Sequence, residues 1–184
     1  MIKNSSDLKY YISQDVKNNK FENSFVSYFF NDIRVYLRRL RQLEYILNTK
    51  HGLLWKFVKQ FCRYRFKKLS KKLGFSIPPN VAGPGLMLPH YGNIVINKKV
   101  KIGSNCKLHV GINIGADFRD GNKTPKIGND CYIAPGAKLY GNIVIADHSI
   151  IGANAVVNKS FEQSGSVIVG IPAKCIRQRD DVSE

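Results

Sequence analysis

Residues 126–157, KIGNDCYIAPGAKLYGNIVIADHSIIGANAVV, decide the fold because an aliphatic residue returns in them at every sixth position. The same spacing runs through residues 94–115, IVINKKVKIGSNCKLHVGINIG. Six residues is not a whole number of 3.6-residue turns, so an α-helix cannot carry this repeat. A fixed hexapeptide period is typical of the parallel β-helix, in which each unit supplies one short strand and one corner. The repeated positions are Ile96, Ile102, Leu108, Ile114, Ile127, Ile133, Leu139, Ile145, Ile151 and Val157.

Three parts are predicted along the chain. Residues 1–75 form a basic α-helical domain, with apolar residues at steps of three and four from about 24 to 47 and again from 53 to 73. Residues 76–164 form the β-helix. Residues 165–184 depart from the repeat, and we expect them to cap the open end of the coil and continue as a tail. The predicted fold class is therefore mostly β, a parallel β-helix preceded by helices.

One insertion interrupts the repeat. Ile114 and Ile127 are 13 positions apart, instead of six or twelve, and residues 116–124 between them are polar and contain glycine. We expect this segment to leave the coil as a loop. Insertions in solenoid proteins commonly mark the binding face.

Positive charge is concentrated before the repeat. The formal net charge is +16, and residues 1–75 contain 17 Lys and Arg against 5 Asp and Glu. This excess fits nucleic acid, an anionic membrane surface or an acidic glycan. Aromatic residues lie among the lysines and arginines of residues 53–73, and this pattern fits peripheral docking on an anionic membrane surface. No nucleic-acid partner is predicted. The alternative is that these aromatic side chains pack inside the protein while the charges face water.

The composition also bears on the cellular compartment. The four cysteines, Cys62, Cys106, Cys131 and Cys175, form no CxxC pair and no zinc-binding spacing, and we expect reduced thiols and no bound metal. The first residues lack the apolar core of a secretory signal, and no apolar run approaches the roughly 20 residues that cross a bilayer. A cytoplasmic protein is predicted, with contact to the inner membrane face left open.

Two histidines are candidates for chemistry. His90 lies in the corner segment LPHYGN, and His109 follows 19 residues later, about one coil further along the β-helix. The two imidazoles are predicted to be neighbours on one face, close to where the 116–124 loop emerges. A neutral imidazole can accept a proton from a hydroxyl group, as a general base does. The alternative is that both histidines are solvated corner residues.

Several enzyme classes lack support in this sequence. No serine-nucleophile motif, phosphate-binding P-loop or dinucleotide-binding glycine motif is present. The remaining chemistry is direct transfer, in which a base deprotonates an acceptor hydroxyl that then attacks an activated acyl donor.

The repeat, the segments LPHYGNIVIN and PKIGNDCYIAPGAKLYGNIVI, and the closing GIPAK of residues 170–174 resemble the hexapeptide-repeat acyltransferases. Within that family the chain is most similar to the serine acetyltransferase branch and its members in surface-polysaccharide synthesis. The resemblance implies a left-handed parallel β-helix, a homotrimer, and an acetyl-CoA-dependent O-acetyltransferase with active sites between neighbouring coils.

The resemblance also implies roles for particular residues. His90 falls on the family's catalytic histidine. His109 does not come from the resemblance, and from its proximity to His90 we expect it to supply a second imidazole that orients His90 or binds the acceptor. Tyr91 and Asn93 beside His90, with Lys123 and Thr124 in the loop, are expected to contact the acceptor. The coenzyme is expected to lie along a groove of small residues and to meet basic ones at its phosphates. The groove and phosphate contacts are Ala116, Ala134, Gly136, Gly152, Ala153, Lys159, Pro172, Lys174 and Arg177.

Three positions depart from the serine acetyltransferases. Pro89 stands where those enzymes have an aspartate, and Lys123 and Thr124 stand where they have an arginine and a histidine that help hold serine. From these departures we predict that the acceptor is a hydroxyl of a surface polysaccharide or of its sugar precursor. Serine O-acetylation for cysteine synthesis is the alternative within the enzyme class. A non-catalytic β-helix scaffold with basic helices is the alternative outside it.

Overall fold

The computed structural model describes residues 1–179 and contains four helices followed by a parallel β-helix. The helices are α1 (Ser5–Asn18), α2 (Phe25–Phe30), α3 (Asp32–Thr49) and α4 (Leu53–Leu73). About one third of the chain is helical, so the mostly β description applies to residues after α4 rather than to the whole chain. Among the described residues, no helix has both the length and the apolar character needed to cross a membrane.

Thirteen short strands build the coil, and twelve of them run parallel to their neighbours on three faces. Face A contains β1 (Phe75–Ser76), β2 (Ile94–Ile96), β5 (Ile112–Gly115), β8 (Lys138–Tyr140) and β11 (Val156–Val157). Face B contains β3 (Lys101–Ile102), β6 (Lys126–Ile127) and β9 (Val144–Ile145). Face C contains β4 (Lys107–Leu108), β7 (Tyr132–Ile133), β10 (Ile150–Ile151), β12 (Ser166–Gly170) and β13 (Ala173–Gln178).

The hexapeptide positions form the core of this coil, as the sequence predicts. All ten are buried, and the most exposed of them, Ile102 and Ile127, each keep only 5% of their surface. Stacked side chains come from successive coils, as where Ile151 lies in register with Ile133 on face C. The hydrophobic stabilisation is therefore spread evenly along the coil, because each coil buries the same kind of surface on the next.

The corner between faces B and C explains the polar residues of the repeat. One residue in each of the five coils takes a positive φ there: Gly85, Asn105, Asp130, His148 and Gly165. Glycine, asparagine and aspartate are the residues that tolerate this left-handed conformation best. The turn therefore requires particular residue types at a fixed place in each coil.

The helical domain differs from its prediction at one point. The expected single helix over 24–47 is two helices, because Asn31 ends α2 and caps α3. The Asn31 side chain accepts a hydrogen bond from the backbone N–H of Arg34, which is the usual arrangement at a helix start. The Asn-Asp pair at residues 31–32 is the sequence signal for this break.

A buried ion cluster joins the helices to the first coil. The Arg41 side chain is fully buried, donates to Asp15 at 2.8 Å and 3.2 Å, and donates to Glu44 at 3.0 Å. The same guanidinium donates to the backbone carbonyl groups of Ala82 and Gly83. Burial lowers the pKa of Arg41, but the two carboxylates outweigh it and hold the pKa above its ordinary value. The cluster therefore fixes α1 and α3 against the start of the β-helix.

The C-terminal segment continues the repeat before it turns back. Strand β12 pairs in parallel with β10, so residues up to Gly170 still belong to the coil. Strand β13 then pairs antiparallel with β12 and covers the edge of face C. The expected cap therefore begins later than residue 165 and covers one face of the three. Residues 180–184 of the predicted tail lie outside the described residues.

Candidate active site

His90 lies in the corner between faces C and A, and this corner is longer in the first coil than in later ones. Five residues, 89–93, separate the inward Leu88 from the inward Ile94, whereas three residues form each corresponding corner at 109–111, 134–136 and 152–154. The extra length lets the chain bulge, and both His90 and Tyr91 are exposed there. The eight-residue step from Leu88 to Ile96 is the sequence signal for this bulge, which was not predicted.

Helices hold the His90 corner from both sides. The backbone N–H of Gly92 donates to the carbonyl of Leu73 at 2.8 Å, at the end of α4. On the other side, the Asn19 side chain after α1 accepts from the N–H of Leu88 at 2.9 Å and donates to the carbonyl of Leu86 at 2.8 Å. A Cβ atom on Gly74 would lie 2.9 Å from the backbone of Gly92, so α4 approaches this corner as closely as glycine allows.

His109 occupies the corresponding corner of the second coil, next to His90, as the sequence predicts. Its ring is half-buried, and its ring centroid lies 5.0 Å from that of Tyr132. Burial lowers the pKa of His109 below its ordinary value, and the nearby positive charges of Lys107 and His90 lower it further. The Nε2 atom is buried and makes no hydrogen bond within the described residues. A neutral imidazole with an unused nitrogen is therefore present beside His90.

The 116–124 loop leaves the coil as predicted, but at a different corner. It follows β5 of face A and precedes β6 of face B, whereas His90 lies at the opposite end of the face A strands. At about 3.3 Å per residue, a four-residue strand separates the two corners by roughly 13 Å. The expectation that the loop emerges beside the histidines within one chain is therefore wrong.

The loop has a defined internal structure. The backbone N–H of Asp117 donates to the carbonyl of Lys123 at 2.8 Å, which closes the loop at its base. Phe118 at its tip is 90% exposed, and Lys123 is also exposed. Thr124 is buried, and its hydroxyl donates to the carbonyl of Lys99 at 3.1 Å. Thr124 therefore holds the loop on the coil, and its contact with the acceptor stays a prediction.

Most of the small residues predicted to line the coenzyme groove lie along the same edge of the coil as His90, which is the edge between faces C and A. Ala134 and Gly136 lie at the corner of the third coil, Gly152 and Ala153 at that of the fourth, and Pro172 in the turn between β12 and β13. Together with His90 and His109 they form one continuous line of corners along the coil. Ala116 and Lys159 instead lie at the corner between faces A and B, where the loop emerges.

Two of these glycines are explained by the fold itself. Gly136 has a φ of +77°, and a Cβ atom there would lie 2.0 Å from the Oδ1 of Asn154. A Cβ atom on Gly152 would lie 2.7 Å from Cγ1 of Val169. Their small size therefore serves the turn and the stacking of coils, and by itself it is no sign of a coenzyme.

The predicted phosphate-binding residues all face solvent. Lys174 and Arg177 are exposed on β13, at the end of the line of corners, while Lys159 is exposed on another corner with its Nζ 5.5 Å from the Phe161 ring centroid.

Asn93 anchors the His90 corner, because its carbonyl accepts from the N–H of Gly111. Within residues 1–179, no group of three or more His, Cys, Asp or Glu side chains could hold a metal ion.

A cleft opens beside the His90 corner. It has a volume of about 870 Å³ and lies between the segment that joins α1 to α3 and the start of face C. Pro89, the neighbour of His90, and Lys107, the neighbour of His109 on the coil, both line it. Glu22 lines the opposite wall and Lys20 lies close by in sequence, so the cleft presents both signs of charge. No local sequence pattern predicts this cleft, because its walls come from distant segments.

The parallel β-helix and its six-residue repeat are the features that characterise the hexapeptide-repeat β-helix proteins. Residues 124–159 match the family described as "Bacterial transferase hexapeptide (six repeats)". Over 107 residues the chain is 37% identical to the serine acetyltransferases of Staphylococcus xylosus and Staphylococcus aureus, which covers 57% of this chain and about half of theirs. The chain thus spans about half the length of the curated relatives it matches.

Solved structures show the same fold over nearly the whole chain. The serine acetyltransferase of Brucella abortus in complex with coenzyme A has a TM-score of 0.72 at 24% identity, covering 95% of this chain and 68% of that one. The soybean serine acetyltransferase in complex with serine has a TM-score of 0.74 at 20% identity, covering 94% of this chain and 70% of that one. The shared region includes the N-terminal helices as well as the coil.

These findings overturn the predicted acceptor. The similar proteins and structures named above are serine acetyltransferases, and they match the serine alternative rather than a surface polysaccharide. The polysaccharide prediction is therefore wrong. It depended on three positions, Pro89, Lys123 and Thr124, and the Thr124 side chain is buried. An identity of 37% over 107 residues is stronger evidence about the acceptor than differences at three positions.

Proposed function

We propose that this protein is an acetyl-CoA-dependent serine O-acetyltransferase. The observation that carries the proposal is the line of corners on which His90, His109 and the predicted coenzyme groove lie together. The likeness to serine acetyltransferases, one of them in complex with coenzyme A and one with serine, supports both substrates. We place the enzyme in the cytoplasm and expect the coil to be left-handed.

In the proposed reaction, His90 is the general base. Its imidazole accepts the proton of the serine hydroxyl while the oxygen forms a bond to the thioester carbonyl carbon of acetyl-CoA. The carbon–sulfur bond then breaks, and the proton taken up by His90 passes to the departing coenzyme thiolate. The products are O-acetylserine and coenzyme A, and the imidazole is neutral again.

His109 is proposed to bind or orient a reactant. Its unused, buried Nε2 lies on the same line of corners as His90, so a substrate atom can become its hydrogen-bond partner. Because the pKa of His109 is lowered, the ring stays neutral and keeps one nitrogen as an acceptor. Tyr91 and Asn93, on the same bulge as His90, are proposed acceptor contacts.

The coenzyme is proposed to lie along the corners that follow. Ala134, Gly136, Gly152 and Ala153 leave this edge of the coil without large side chains, so an extended pantetheine chain can approach the backbone. Pro172, Lys174 and Arg177 lie at the far end, where two exposed cations can pair with phosphate groups.

We propose that the working form is a homotrimer. Within one chain the loop and His90 lie at opposite ends of face A, so the loop of a neighbouring copy is needed to close the site over His90. Under this arrangement Ala116, Lys123 and Lys159 act toward a neighbour's groove. The exposed Phe118 at the loop tip fits a contact with another copy.

The test is thiol release from acetyl-CoA with L-serine as the acceptor. We expect serine-dependent release by the full chain, and His90→Ala to lower turnover by about 10²–10⁴-fold. His51→Ala, at an exposed histidine between α3 and α4, is the matched control and keeps normal turnover. A loss of less than tenfold in His90→Ala would remove His90 from the role of base, and no release with serine would reject the proposed acceptor.

A further inference from the structure

The helices expose an unusually apolar surface that the proposed reaction does not use. Large side chains that elsewhere form cores are here between 51% and 73% exposed. We call this the α2–α4 surface, and it consists of Phe25, Phe29, Leu53, Leu54, Phe57, Phe61 and Tyr64. An exposed patch of this kind marks a contact site, because soluble surfaces rarely keep so many large apolar side chains together.

On α4 the exposed apolar residues follow one stripe. Leu53, Phe57, Phe61 and Tyr64 recur at steps of three and four, opposite the buried stripe that ends at Leu73. Lysines continue the exposed stripe at positions 68 and 71 and flank it at 56 and 67. The helix therefore presents an apolar half and a basic half on the same outer face.

The two helices contribute to one continuous surface. A groove of about 580 Å³ is lined by Phe29 of α2 together with Trp55, Cys62 and Arg65 of α4. A second groove beside it is lined by Phe61 and Tyr64 with Arg65, Lys68 and Lys72. Aromatic rings and cations therefore alternate across the surface, and the Arg65 guanidinium lies 5.5 Å from the centre of the Phe61 ring.

The charges identify the partner. Helix α4 carries eight lysines and arginines and no acidic residue. Arg39 across the groove has a lowered pKa, through partial burial and through its cationic neighbours Arg65 and Arg38. A second copy of this surface would bring like charges together, whereas an anionic surface neutralises them.

We propose that the α2–α4 surface docks on a lipid bilayer that contains anionic headgroups. Its apolar stripe enters the headgroup boundary, and the flanking lysines and arginines pair with lipid phosphates. The contact is peripheral, consistent with the finding that no described helix can span a membrane. The inference goes beyond the proposed reaction and does not depend on it.

The test is co-sedimentation of the full chain with lipid vesicles. We expect binding to vesicles of phosphatidylcholine mixed with phosphatidylglycerol, weaker binding to phosphatidylcholine alone, and a loss of binding as salt is raised. Phe57→Ser with Phe61→Ser should lower the partition coefficient by about tenfold or more, because both rings leave water on docking. Both are exposed in the free protein, so the variant should fold normally.

Matched controls distinguish binding through the α2–α4 surface from non-specific adsorption to the vesicles. Tyr10→Ser removes an exposed ring of α1 outside the surface and should bind vesicles normally. Lys56→Ala and Lys68→Ala should each weaken binding to anionic vesicles roughly fivefold, whereas Lys98→Ala and Lys126→Ala on the coil should not.

Two results would overturn the proposal. The first is equal binding to anionic and neutral vesicles, or no binding to either. The second is a double serine variant that binds vesicles normally but has a lower mass in light scattering than the unaltered protein, which would make the surface a contact between copies. Neither result depends on acetyl-CoA or serine, so failure here leaves the proposed reaction to its own test.

Discussion

The helical domain and the β-helix are stabilised in different ways. The coil repeats one kind of contact, in which an aliphatic side chain stacks on its equivalent in the next coil, at ten buried positions. The helices also bury apolar side chains of α3 and α4, but they are joined to the coil by one set of polar contacts around Arg41, in which each partner is different and all are buried. A repeated contact tolerates the loss of one member, whereas a single buried cluster does not.

The largest loss of stability is expected when the buried cluster around Arg41 loses one of its carboxylates. Asp15→Ala should lower the free energy of unfolding by about 3–5 kcal/mol, because it leaves the buried Arg41 charge without a main partner. Chemical denaturation would measure the change. Lys72→Ala removes the exposed ion pair with Asp32 and should cost about 1 kcal/mol or less. Equal losses of unfolding free energy in the two variants would show that the buried cluster contributes no more to stability than the exposed ion pair does.

A smaller effect is expected from a single corner of the coil. Gly136→Ala should cost about 1–3 kcal/mol, because a side chain is forced into a left-handed backbone and against Asn154. Gly121→Ala in the loop is the control, since a Cβ atom there meets nothing within 4 Å. If both variants had the same thermal midpoint, the turn would not require glycine at 136, and its small size would need another explanation.

The smallest expected effect is a change in the free energy of unfolding with pH, caused by His109 of the coil. Because the pKa of His109 is lowered in the folded state, the unfolded chain binds its proton first as pH falls. Stability should therefore decline as pH falls through 6.5, the ordinary value, and level off once the folded state is also protonated. His109→Asn should flatten this part of the curve of unfolding free energy against pH. A curve that His109→Asn does not alter would contradict the assignment.

Repetition also explains why the coil was predictable. The positions of the core, the insertion after Ile114 and the pairing of coils all follow from a six-residue count, because local spacing fixes which side chains point inward. The helix break at Asn31 was missed, since apolar residues continue at helical spacing on both sides of it. The bulge at His90 was missed, although the eight-residue step from Leu88 to Ile96 exceeds the six-residue repeat by two.

By itself, the sequence determined the three-sided coil, its buried positions and the neighbouring corners of His90 and His109, because each depends on spacing along the chain. Only the tertiary structure decided that the loop and His90 lie at opposite ends of face A, that Thr124 is buried, and that Arg41 joins helices to coil. The cleft beside Pro89 and the exposed α2–α4 surface belong to the same group. These features depend on how distant segments pack, and no local spacing encodes which polar group meets which across more than twenty residues.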